Sequence, residues 1–146
     1  MAKMRRRASK EPPTRDNLPC GMTVARWDAL KEMILIVLWR VGMRVHPVSY
    51  KVLCLMLEGL PLYHRSSTLT GLLNEIARDE IERGAPCYVT AIVALAGKKY
   101  SGAGFFKMVQ EDGWMWTSKT EFCEEQRRLA RTWIRRNLRE PAAVAA

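Results

Sequence analysis

From residue 23 onward, apolar side chains return at three- and four-residue steps, the spacing that gathers them on one side of a helix. Trp27, Leu30, Ile34, Leu38 and Val41 form the first stripe and predict a helix over residues 24–41, with Thr23 as N-cap and Gly42 at its end. Leu35, Ile36 and Val37 are apolar as well, so this helix is expected to be buried nearly all round, at the centre of the domain. His46-Pro47 breaks the pattern. A second helix then opens at Pro47 or Ser49 and runs through Glu58, with Val52, Leu53, Leu55, Met56 and Leu57 apolar and Gly59 as its stop. A turn holding Leu60, Pro61 and Leu62 follows. Ser66 and Ser67 then cap a third helix reaching Arg83, whose stripe is Leu69, Leu72, Leu73, Ile76, Ala77 and Ile81. Arg65, Thr68, Asn74, Glu75 and Arg78 are expected to face outward.

Beyond Gly84 and Pro86 the period changes. Residues 87–95 are rich in β-branched and aromatic side chains and are bounded by breakers, which predicts a strand. Ala96, Gly97 and Lys98 make a turn, and residues 99–101 return beside that strand as a short hairpin partner. A short helix over residues 105–112 follows. Ser118-Lys-Thr-Glu121 has the capping-box pattern and starts a last helix over residues 120–139. Phe122, Leu129, Trp133 and Leu138 are expected to dock it, with Arg127, Arg128, Arg131, Arg135 and Arg136 covering the rest. The fold class is therefore mainly α with a small β-hairpin, in one domain of residues 23–139. A disordered basic arm (1–22) and a disordered tail (140–146) flank it.

Charge adds a partner to this picture. The 146 residues carry 24 basic and 15 acidic side chains, a net charge of +9. The excess sits at the ends: +4 over residues 1–22, +2 over 23–112 and +3 over 113–146. Arginine clusters of this kind neutralise phosphates through counterion release. The longest apolar run, residues 33–39, is far too short to span a bilayer. Cys20, Cys54, Cys87 and Cys123 contain no C-x-x-C pair and no histidine at zinc-finger distance, so neither a metal site nor a cofactor is expected. The basic start leads into Pro12 and Pro13 rather than an apolar stretch, and reduced thiols in a cytoplasm are expected.

Helix, helix, turn, helix, strand, basic turn, strand is an order that resembles a winged helix-turn-helix over residues 24–104. The resemblance implies a DNA-binding module whose third helix enters the major groove while its hairpin touches the flanking backbone. The implied contacts are Arg65, Ser66, Ser67, Thr68 and Thr70 at the start of that helix, and Lys98, Lys99 and Tyr100 on the wing. Arg131 and Arg135 on the last helix would add non-specific affinity. Pro86-Cys87-Tyr88-Val89 locally resembles the Pro-Cys-His-Arg-Val segment of alkylguanine-DNA alkyltransferases, which also lies on a helix-turn-helix scaffold. Here Tyr88 and Val89 stand where that family has His and Arg, so the activation a cysteine nucleophile needs is missing. Residues 88–106, closing on Gly102-Ala-Gly104-Phe105-Phe106, also resemble stretches of uncharacterised small bacterial and phage proteins, which carry proline where this chain has Ser101.

Other constellations have plainer readings. His46 and His64 flank a helix junction and a turn, and Ser66 or Ser67 beside His64 lacks a third, orienting acid. Cys54 on an apolar face reads as core packing. Glu75, Asp79 and Glu82 share one helix face and read as a solvated face rather than a nuclease-type carboxylate cluster. The glycines and lysines of residues 97–104 lack the order of a phosphate-binding loop. Trp114 and Trp116 flank Met115 in a linker, where they clamp the last helix, stack on bases or grip a partner. The expected function is non-catalytic nucleic-acid binding, DNA ahead of RNA, with a homodimer through the last helix open. The alternative is a protein-interaction module that uses the C-terminal helix and the Trp114–Trp116 region.

Overall fold

The computed structural model describes residues 11–57 and 66–138. Arg65, His64, the expected end of the second helix, the turn after it, the first ten residues and the tail from 139 lie outside the described residues. The architecture is mainly helical with a small sheet: α1 (Val24–Val41), β1 (Val48–Ser49), α2 (Tyr50–Met56), α3 (Ser67–Glu82), a 3₁₀ turn (Val89–Ile92), β2 (Val93–Ala94), α4 (Ala103–Glu111) and α5 (Lys119–Arg136).

The caps explain most of the starts. Thr23, Ser49, Ser66 and Ser118 each accept a hydrogen bond from the backbone N–H three residues on, at 3.1–3.2 Å. The first helix is the hub, as its continuous apolar run requires. Trp27, Leu30, Ile34 and Leu38 are fully buried, and Leu35, Val37, Trp39 and Val41 close its other sides. Gly42 ends it where a Cβ would strike Ile134 of α5. The indole of Trp39 donates to the Asn137 carbonyl at 2.7 Å, pinning the end of α5 to α1. A second cluster of Tyr88, Phe105, Phe106, Met108, Val109 and Cys123 joins α4 to α5.

Residues 11–22, read from sequence as part of the arm, lie against this domain. Pro13 is buried and its carbonyl sits so close to Gly71 that no Cβ would fit there; Leu18 and Met22 pack on the core. Proline and small-residue complementarity holds the segment, with Arg15 paired to Asp28.

The expected hairpin takes a different form. Residues 89–92 coil into a 3₁₀ turn, and Val93–Ala94 pair in parallel with Val48–Ser49, with Val48 opposite Val93 and Ser49 opposite Ala94. Residues 87–94 are buried throughout, so their β-branched run reports burial on all sides rather than an alternating strand. Ahead of that two-residue ladder, backbone groups are met from α5: Gln126 Oε1 accepts from Tyr88 N–H at 2.8 Å, and Arg127 Nη1 donates to the Ala91 carbonyl at 3.0 Å. Residues 95–100 form a tight turn closed by Leu95 N–H on the Tyr100 carbonyl at 3.0 Å. This requirement also rotates the last helix. Cys123, Gln126, Arg127, Ala130 and Ile134 face inward, while Leu138, expected to dock, is 77% exposed. Ile81, expected in the buried stripe of α3, is 38% exposed on the last turn of that helix.

Candidate nucleic-acid interface

Arg127 is the centre of the site: the sequence predicts a surface cation, and the structure buries it on the inner face of α5. It is 4% exposed, donates from Nη1 to Ala91 and from Nη2 to the Lys99 carbonyl at 2.9 Å, and meets no carboxylate in an ion pair among the described residues. Burial pushes its guanidinium below the usual arginine range. An open hollow of about 220 Å³ lies over it, walled by Lys99, Arg131, His46 and Glu124. Three cations therefore face one carboxylate. Lys98 lies exposed on the adjoining turn, and Arg135 stands one helical turn beyond Arg131 on α5.

What marks this hollow is the grouping of its cations, since Arg26, Arg40, Arg44, Lys51, Lys119 and Arg136 elsewhere also make no ion pair among the described residues. Arg15, Lys31, Arg78, Arg83, Lys107 and Arg128 each pair with an acidic side chain. Lys98, Lys99, Arg131 and Arg135 make no ion pair among the described residues.

The expected contacts at the start of α3 fall elsewhere. Ser66 is spent on its own helix, its hydroxyl accepting from Leu69 N–H and its carbonyl receiving Thr70 N–H. Ser67 is exposed and Thr68 is half-buried. Thr70 lines a separate hollow with Tyr50 and Gly104. Tyr100 is half-buried, with the Lys119 ammonium 5.8 Å from its ring centre. The body of α3 is enclosed by α1, α4 and the 3₁₀ turn, leaving Ser67, Arg78, Ile81 and Glu82 as its exposed positions.

Its acidic residues have structural partners. Glu75 accepts from the Trp27 indole and from Arg15 N–H, and Lys31 bridges Glu75 and Asp79 at 3.1 and 2.6 Å. Glu80 is buried and accepts from the Trp133 indole at 3.0 Å. The described residues hold no group of three or more His, Cys, Asp or Glu side chains placed to bind a metal ion. Cys87 is buried, and desolvation with the nearby Glu80 carboxylate pushes its thiol up to about 12. It is a core thiol, held protonated. Cys54 packs at the edge of the core, and burial raises its thiol pKa too. Trp116 packs at a tilt against Phe106, ring centres 4.8 Å apart, and both Trp114 and Trp116 reach Phe122, so these rings clamp the start of α5.

Among the described residues no helix is long and apolar enough to cross a membrane. Compared with family models, curated proteins and solved structures, the chain matches none.

Proposed function

We propose that this protein binds nucleic acid without chemistry, DNA ahead of RNA, through the surface formed by Lys98, Lys99, Arg131 and Arg135 around the Arg127 hollow. The observation that carries this reading is the convergence of Lys99, Arg127 and Arg131 on one open hollow against the single carboxylate of Glu124. A phosphate seated there would replace the counterions these side chains otherwise hold, and the planar guanidiniums suit its oxygens. Lys98 and Arg135 extend the same positive surface to the neighbouring phosphates. The contact proposed is with the backbone, which positions a protein on nucleic acid without reading sequence.

The test is fluorescence anisotropy of labelled duplex DNA and single-stranded RNA across a salt series. Affinity for the duplex should fall linearly on a log–log plot, and Lys98→Ala/Lys99→Ala should lower the slope by about one unit per lost phosphate contact. Absence of binding by the intact chain at low salt would overturn the proposal.

A second reading rests on Met115, which is 90% exposed beside the half-exposed Trp114 over a hollow that Gln110 also lines. Such a pair suits a protein partner. Binding there would be insensitive to salt and lost in Met115→Asp.

A further inference from the structure

The rim of the basic hollow carries one side chain that the phosphate reading leaves without a role. His46 lies on the segment between α1 and β1, which is tied at both ends: Arg44 N–H donates to the Val41 carbonyl at 3.0 Å, and Val48 pairs with Val93. Pro47 follows it and disfavours a helical backbone at His46. Both residues line the hollow. Across from them stand Lys99, from the 95–100 turn, and Glu124, Arg127 and Arg131, from α5. Arg44, two residues earlier on the same segment, is exposed, as is His46 itself, so a proton reaches the imidazole without any unfolding.

Among these side-chain types only an imidazole changes charge close to neutral pH; lysine, arginine and an ionised carboxylate keep theirs. With a neutral imidazole the lining holds three cations against one carboxylate, a net charge of +2, and a protonated one makes it +3. A phosphodiester keeps its single negative charge over the same range. Seated in the hollow, it places that charge beside the imidazole and favours the protonated form, and by linkage the protonated form holds the phosphate more tightly.

Resting on the phosphate reading of this hollow, we propose that His46 makes it pH-sensitive: when protonated, the imidazole joins Lys99, Arg127 and Arg131 on one phosphate, and nucleic acid is held more tightly as pH falls from about 8 to about 5.5. Lysine and arginine alone would give binding that is flat over that range.

The experiment is anisotropy of a labelled duplex with the full-length chain at constant low salt, across that pH range. Affinity should rise about three- to fivefold toward the acid end, the size of one exposed charge contact. His46→Gln should flatten the rise, and His64→Gln, at the chain's other histidine, should keep it. Calorimetry at about pH 6.5 in two buffers of different ionisation enthalpy should show proton uptake on binding, reduced in His46→Gln. A merely structural role for His46 would lower affinity at every pH and leave proton uptake unchanged. Salt-sensitive binding that is flat with pH, or a rise that persists in His46→Gln, overturns this proposal and leaves the phosphate reading standing. Absence of binding at every pH overturns both.

Discussion

Two hollows flank the turn at residues 95–100, and they are built from opposite materials. One is walled by Lys99, Arg127 and Arg131; the other by hydroxyls, glycine backbone and three apolar side chains. Residues 89–102 supply both. Lys99 faces the first, while Thr90, Leu95 and Gly102 face the second. In the first, a buried charge is held by carbonyls that need it. In the second, the buried Thr90 hydroxyl has no hydrogen-bond partner among the described residues. Removing the polar group should therefore have opposite consequences on the two sides.

The largest expected effect is Arg127→Met, which strands the buried Ala91 carbonyl and removes the partner of the part-buried Lys99 carbonyl. With each lost partner costing about 1–3 kcal/mol, stability should fall by about 3 kcal/mol and the melting temperature by about 10 °C. A loss below 1 kcal/mol in urea unfolding would show that the guanidinium is not what satisfies residues 91 and 99.

A smaller effect concerns pH. The folded-state pKa of Cys87 lies near 12, above the unfolded value of about 8.5. Its contribution to stability is thus complete below pH about 8.5 and is lost as pH rises toward 12. Tyr88 and Cys123, both raised chiefly by burial, act in the same direction. Urea midpoints should hold from pH 7 to about 8.5 and fall from there to pH 11, and Cys87→Ala should flatten part of that fall.

Smaller again is Thr90→Val, which removes the partnerless hydroxyl at nearly constant volume. It should leave the protein as stable as before or raise it by about 1 kcal/mol. A clear loss would mean that the hydroxyl has a partner in solution. The smallest stability effect belongs to Arg131→Ala, within about 0.5 kcal/mol, because that side chain makes no ion pair among the described residues. Its consequence should appear in the salt slope of DNA binding instead.

Much of the helical plan was legible because caps and apolar periodicity are local signals. Thr23, Ser49, Ser66 and Ser118 mark the starts, and the stripe of α1 follows from a three-and-four spacing. The region 87–101 was not legible in the same way. Its β-branched run carries the same letters for a strand and for a segment enclosed on every side, and the choice was made by Gln126 and Arg127, about 35 residues away. Arg127 looks like its exposed neighbour Arg128 in any local window. The basic residues of the first hollow could be found by charge, although their grouping could not. The second hollow draws its lining from residues 50, 70, 73–74, 90, 95 and 102–105, which no local window joins. The one local hint is the missing Ser, Thr, Asp or Asn at position 102, the single helix start here with no side-chain cap.

The two-residue pairing of Val48–Ser49 with Val93–Ala94 also sets a timetable. Joining positions 48 and 93 closes a loop of about 45 residues, an entropic cost of roughly 3 kcal/mol before any contact compensates it. Both hollows take walls from each side of that closure: Tyr50 with Thr90 in one, His46 with Lys99 in the other. Neither can exist in a half-folded chain. During refolding both hollows should take shape in the same late step, together with amide-exchange protection at Val93.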